Sequence, residues 1–310
     1  SKWFRARTEF DLAVRLRPHV VTEFTDNEQL RQFLLDTLRK FEKQRRRIEV
    51  ADYSSQAIEA GSDFVRLGGG SLGGKGRSLA YFHALLPQLD LAGLGDIEVC
   101  IPRSAVVGTK VFDEFLESNE LTELAYSDTS ELEDEDIAET FIEARFPESI
   151  YDDLKTFVEQ VRYPLAVRSS SLLEDSQHQP FAGVYETYML SNNHPDPKRR
   201  LQHLCDAIKL VYASTFYQAS KAYIAATPNR IAEEKMGVVI QEVAGLPHDD
   251  AFYPTFAGVA RSRNFYPLGD AAPEDGVVAV ALGLGKAVVE GEKMFRFSPA
   301  HPRQQFQFVS

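Results

Sequence analysis

Cysteine is scarce: Cys100 and Cys205 are the only two in 310 residues. One disulfide is arithmetically allowed, a disulfide framework is excluded, and the usage suits a reducing cytoplasm. No CxxC or HExxH spacing offers a zinc site. The seven histidines are scattered, so each reads as a surface or packing residue. Long apolar runs are also missing, and nothing approaches the roughly 18 residues of a membrane span. The opening SKWFRARTEF lacks the apolar stretch of a secretory leader and has no initiator Met, so the chain reads as a piece of a longer protein, with Ser1 a cloning remnant. Positive charge is in deficit: 34 Lys and Arg against 46 Asp and Glu leave a net charge of −12. That balance disfavours a chain built to wrap nucleic acid and leaves room for a local basic pocket. Part of the acid excess sits in the run from Glu131 to Asp136, read as a solvated loop and helix start.

What remains is an ordinary globular composition, 44% hydrophobic and 26% charged, long enough for two modest domains. Residues 1–50 read as helical. Thr25 and Glu28 have capping-box spacing, and Leu30, Phe33, Leu34, Leu38 and Phe41 follow at helical intervals. The run Gln44-Arg45-Arg46-Arg47 reads as a solvated helix end rather than a nucleic-acid patch. Phe64–Leu67 is expected as a strand that enters a glycine-rich loop. An amphipathic helix marked by Leu79, Phe82, Leu85 and Leu86 follows and stops at Pro87. Further strands are expected at Ile97–Ile101, Leu165–Arg168, Gly237–Val243, Phe256–Ala260 and Val277–Leu282. Helices are expected around Ile137, Phe141 and Ile142, and at Tyr151–Val161 and Leu201–Ala225. Mixed elements without an internal repeat give an α/β or α+β class.

The loop Gly68-Gly69-Gly70-Ser71-Leu72-Gly73-Gly74-Lys75-Gly76 is the first chemical signal. Glycines let a backbone approach phosphate closely, and successive N–H groups can converge on an anion. Gly68, Gly70 and Gly73 satisfy GxGxxG. Gly69, Gly74 and Lys75 satisfy most of a P-loop, but Gly76 stands where Ser or Thr should hold Mg²⁺. A plain turn before a helix is the bland alternative, and Lys75 at the helix entry favours phosphate. The second signal is Leu165-Ala166-Val167-Arg168-Ser169-Ser170-Ser171 followed by Glu174-Asp175 and by Phe181-Ala182-Gly183 through Thr187. An Arg at a strand end can fork onto phosphate oxygens. A structural ion pair from Arg168 to Glu174 or Asp175 is the alternative.

At this point a family resemblance becomes specific. PLAVRSSSLLEDSQHQPFAGVYETYM resembles the AVRSSATAED…SFAGQ…TYL segment of phosphoenolpyruvate synthases, pyruvate phosphate dikinases and rifampin phosphotransferases. GGSLGGKGRSLA resembles their GGKGANLAEL opening, and IPRSAVVGTKVFDEFLE the strand and helix after it, with Pro102 and Thr109 in place. VVIQEV is similar to their VVVQKM hinge strand, GVARSRNFYPLG to GVLFTRNPVTG, and GLGKAVVEG to GLGEAVVQG. The six matches keep the family order between about residues 61 and 298.

The resemblance implies an α+β, ATP-grasp-like architecture with ATP between two subdomains. A helical connector at 1–60 would precede a first subdomain at 61–200 and a second at 201–310. It implies phosphate contacts and a catalytic role for Lys75 and Arg168, and a covering loop containing Gly183 and Thr187. It implies an adenine site at Gln241, Glu242 and Val243, and a further phosphate contact at Arg263. In the whole enzymes this domain, with Mg²⁺, sends phosphate to a histidine on a swivelling domain that serves a separate pyruvate site. Nothing in this sequence resembles either of those parts. Four positions depart from the pattern: Ala279 replaces a metal-binding acid, Lys286 replaces the Glu of GLGE, Glu290 replaces the Gln of VVQG, and Glu292 stands where an Arg can occur. Glu290 is thereby the candidate metal ligand. The expected activity is ATP-dependent phosphotransfer as part of a longer protein. The alternative is a nucleotide-sensing module that performs no chemistry.

Overall fold

Short β-branched runs that end at glycine or at a charged turn form the strands, and amphipathic runs form the helices that cover them. The computed structural model describes residues 26, 28–35, 37, 51–52, 63–123, 132–171, 184–226, 234–267, 269, 271–285, 288–289 and 294–306. The chain divides by contact density into Ser1–Glu242 and Val243–Ser310. The boundary that the resemblance implies is at residue 200. It falls inside a helix, Pro197–Ser214, that packs on the first unit. Thr25 of the expected capping box lies outside the described residues. Residues 28–35 are helical, and the Gln29 N–H donates to Asp26 Oδ1 at 2.7 Å, an N-cap contact.

The first unit is built on a six-stranded mixed sheet, ordered β1 (Ala51–Asp52), β2 (Phe64–Leu67), β3 (Ser104–Val107), β6 (Met236–Glu242), β4 (Leu165–Ser171) and β5 (Thr187–Leu190). β1, β2 and β3 run parallel; β6 is antiparallel to β3 and β4, and β5 is antiparallel to β4. Strand alternation sorts the side chains onto two faces. Val65, Leu67, Ala105, Val107, Leu165, Val167, Val238 and Ile240 share the main core. Helices cover that face: α2 (Thr109–Ser118), α3 (Asp134–Glu143), α4 (Glu148–Gln160) and α5 (Pro197–Ser214), with α6 (Gln218–Ala225) after them. Phe112, Phe115, Phe141, Tyr212 and Phe216 interlock there at tilted and stacked ring angles. The opposite face buries Phe64, Val106 and Val239 under Leu72, Leu79 and Ala80 of helix α1 (Gly73–Leu85) and its approach.

The strand expected at Ile97–Ile101 is not formed. Ile97 and Val99 are exposed, and the strand begins after Pro102, where Ser104–Val107 is buried throughout. The reason is tertiary: the Ser104 N–H donates to Asp63 O, so the pairing with β2 sets the register. The helix expected over Leu201–Ala225 is two helices, α5 and α6, broken at Thr215–Tyr217. Buried Arg200 on α5 donates to Val158 O and Val161 O at 2.6 and 2.9 Å. Asn192 adds donors to Val161 O and Tyr163 O. These bonds satisfy the carbonyl end of α4 and fix the chain as it enters β4.

The second unit holds a two-stranded ribbon, β7 (Leu246–His248) with β8 (Ala251–Tyr253), and an antiparallel sheet. That sheet is ordered β12 (His301–Phe306), β11 (Phe295–Ser298), β10 (Val277–Leu282) and β9 (Phe256–Arg261). Among the described residues no helix is long and apolar enough to cross a membrane.

Candidate functional site

The glycine-rich loop joins β2 to α1 and is locked against two neighbours. On one side the Ser71 N–H donates to Thr109 Oγ1 and the Thr109 N–H to Ser71 O, each at 2.9 Å. On the other, Ser170 Oγ accepts from the Gly76 N–H at 2.9 Å and donates to Leu72 O at 2.7 Å. The approach to β4 is so close that a Cβ on Gly73 would stand 1.6 Å from Ser170 O, and Gly73 has φ +69°. Gly70, at φ +93°, meets the start of α2 in the same way, with its virtual Cβ 2.5 Å from Lys110 N. These glycines serve backbone packing as well as turning.

Two N–H groups at the start of α1 are thus already occupied, Gly73 by Ser71 Oγ at 3.2 Å and Gly76 by Ser170. A dinucleotide or P-loop cradle uses such groups for the ligand. Here the positive charge in the adjoining cleft comes instead from side chains. Lys75, in the first turn of α1, donates from Nζ to Ser169 Oγ at 3.3 Å. Arg168 lies in a cross-strand row with Arg66, Val106, Val239 and Thr187. Lys75, Ser78, Leu79 and Phe82 from α1 and Arg168 and Val239 from the sheet line a cavity of about 260 Å³. Two cations that arrive from different elements thus share one cleft, a geometry suited to a polyanion.

The next row along the same sheet face holds Phe64, Ser104, Gln241, Ala166 and Met189. Gln241 is one row from the cations, and its Nε2 donates to Ser104 Oγ at 3.1 Å. Thr187, exposed, pairs with Arg168 itself. Glu242 alternates to the other face, in register with Leu165, and its N–H donates to Arg103 O. Burial, with the nearby Glu242 carboxylate adding to it, pushes the Tyr163 phenol up to about 12, so that phenol is neutral at physiological pH.

Lys75, Arg168, Thr187 and Gln241 therefore meet on one sheet face. Val243 and Arg263 belong to the second unit, where exposed Arg263 pairs with Glu274 Oε1 at 3.1 Å. Ala279 sits mid-strand in β10 between Val259 and Arg296. Gly183, Glu290, Lys286, Glu292, Glu174 and Asp175 lie outside the described residues. Among the described residues no group of three or more His, Cys, Asp or Glu is placed to hold a metal, and a methyl group at Ala279 offers no ligand. The sequence reading did not assign Ser169 and Ser170, which hold Lys75 and the loop. The signal available for them was their place directly after Arg168. Phe82 was expected to pack with the helix's apolar face; it is half-exposed and lines the cleft.

An uncharacterized phosphotransferase, YvkC of Bacillus subtilis (strain 168), is 30% identical over 194 residues, which are 62% of this chain and 20% of the relative. The chain thus spans about a fifth of that relative's length. A model of the family described as pyruvate phosphate dikinase, AMP/ATP-binding domain, matches residues 70–304. That range opens in the glycine-rich loop, after β1 and β2, and takes in Lys75, Arg168 and the strands from β3 to β11. The cationic cleft and these matches agree on an ATP-binding, phosphotransferase-type domain. The chain belongs to the family of pyruvate phosphate dikinase AMP/ATP-binding domains.

Proposed function

We propose that this chain holds ATP in an ATP-grasp manner and, within a longer protein, starts phosphoryl transfer toward a histidine that serves pyruvate or a similar acceptor. The observation that carries the reading is the convergence of Lys75 and Arg168 on one cleft beside Gln241. In such a step a histidine nitrogen forms a bond to phosphorus, the bond to the leaving phosphate oxygen breaks, and the histidine proton passes to solvent. Lys75 and Arg168 would orient the phosphates and neutralise charge as it moves onto that oxygen. Gly183 and Thr187 would cover the phosphates. By the resemblance, backbone groups at Gln241, Glu242 and Val243 would read the edge of the base, and Arg263 would be a further phosphate contact.

The chain alone is expected to make no AMP in response to pyruvate, because nothing in its sequence resembles a carrier histidine or pyruvate site that would join the two reactants. The longer protein is expected to make AMP only with both substrates present. Pyruvate-dependent AMP from the 310 residues alone would place an acceptor site within them.

Mg²⁺ takes oxygen ligands, commonly one or two carboxylates with substrate phosphates, and Glu290 is the carboxylate that the resemblance offers. Glu290→Gln is expected to weaken ATP binding in Mg²⁺ and to leave metal-free binding unchanged. Equal effects in both conditions would remove Glu290 from the metal site. A second reading, a nucleotide sensor without chemistry, draws on Ala279, which leaves the second unit without the acid expected there. A longer protein that binds ATP yet forms neither AMP nor phosphohistidine would favour the sensor.

A further inference from the structure

Lys75, Ser78, Leu79 and Phe82 recur at helical spacing and form one stripe of α1, and all four line the same cleft. The stripe changes character along its length. Its first turn carries the Lys75 ammonium beside Ser169 and Arg168. Its far end, about 10 Å along the helix axis, carries the Phe82 ring. Leu79 is partly buried against Val239 and its neighbours, whereas Phe82 is 52% exposed. The far end of α1 is fixed by His83, whose ring packs on Phe64 at a centroid distance of 5.4 Å. Phe64 belongs to the row that contains Gln241. The apolar end of the cleft is thus the end nearer Gln241, and the cationic end is the one nearer Ser169.

An isolated exposed aromatic is common on protein surfaces, and α1 supplies the comparison. Tyr81 is 63% exposed on the same helix, touches Phe82 edge-on at 5.9 Å, and does not line the cavity. Phe82 is set apart by facing a cleft whose other end is built for a polyanion.

We propose that Phe82 is the base-side wall of the nucleotide cleft, with its ring covering a planar heteroaromatic base whose phosphates lie on Lys75 and Arg168. The inference rests on the nucleotide reading above and adds to it which helix face holds the base. Aromatic side chains take bases by stacking, tolerant of base identity, while the cations take the phosphates regardless of the base.

The experiment compares ATP with inorganic tripolyphosphate, which keeps the anion and lacks the base, by calorimetry on wild type, Phe82→Ala, Phe82→Trp and Tyr81→Ala. Denaturation midpoints check that each variant is folded. Phe82→Ala is expected to weaken ATP about tenfold and to leave tripolyphosphate unchanged. Phe82→Trp is expected to keep wild-type ATP affinity, as is Tyr81→Ala. ATP affinity unchanged in Phe82→Ala, or an equal loss for tripolyphosphate, overturns the assignment. So does an equal loss in Tyr81→Ala. The parent reading is judged separately: if Lys75→Met loses ATP while Phe82→Ala keeps it, the nucleotide site stands and the base wall falls. A wild-type chain that binds tripolyphosphate as tightly as ATP overturns the base wall as well.

Discussion

Gly73→Ala is expected to be among the most damaging single substitutions in the first unit, costing about 3–4 kcal/mol of stability. Two effects combine. The residue sits at φ +69°, where a side chain meets its own backbone at roughly 1–2 kcal/mol. Its new methyl would overlap the Ser170 carbonyl at 1.6 Å, and overpacking of that kind costs roughly 1–3 kcal/mol. Relief by a shift of β4 is blocked, since that strand is paired with β6 along its whole length and with β5 along its first half. Gly93→Ala is the comparison: its Cβ would meet nothing within 4 Å, so the change is expected to stay within about 0.5 kcal/mol. Urea denaturation of the two variants checks this. A Gly73→Ala midpoint equal to that of Gly93→Ala would mean that the loop does not pack on β4 as described. Because Lys75 is two residues further on, the same variant is expected to lose ATP affinity even where it remains folded.

The second large effect is on binding. Lys75→Met keeps a side chain of similar length and removes the ammonium, which is held 3.3 Å from Ser169 Oγ at the wall of the cleft. Loss of a charged hydrogen bond to phosphate costs roughly 1.5–3 kcal/mol, about a ten- to hundredfold weaker dissociation constant for ATP. Arg168→Met is expected to act similarly from the sheet side. The double variant is expected to lose less than the sum, since both cations meet one polyanion. ATP calorimetry checks the series, with denaturation midpoints near wild type to separate binding from folding. An unchanged affinity in Lys75→Met would take that residue out of the site.

Much of this frame is legible from sequence, and the reasons are local. Val277–Leu282 is an uninterrupted apolar run of valine, alanine and leucine and forms a strand with those bounds. Phe64–Leu67 ends at a glycine loop and is also found as read. The strand near Pro102 is not legible. IEVCI and SAVV are equally good local candidates, and the choice between them is made by pairing with β2, more than thirty residues upstream. The division after Glu242 is hidden for a related reason: α5 and β6 come late in the chain yet fill the core of the first sheet.

For the site, motif order led to Lys75 and Arg168, but spacing alone left Arg168 open to an ion pair with Glu174 or Asp175. The register of β4 against β5 and β6 puts Arg168 on the α1 face with Thr187 and Val239. Phe82 was hidden because a helical stripe of Leu79, Phe82 and Leu85 looks the same whether it meets a core or a cleft. The distinction depends on what stands opposite, and opposite Phe82 the sheet offers an open cavity.

The central claim is that this cleft takes a nucleoside triphosphate through side-chain cations, in contrast to a dinucleotide held on a glycine-rich backbone cradle. Calorimetric titration of the purified chain with ATP and with NAD⁺ tests it most directly. The account predicts saturable ATP binding at one site per chain and no heat of binding from NAD⁺. NAD⁺ binding with an affinity equal to that of ATP, or no binding of ATP at all, would contradict it.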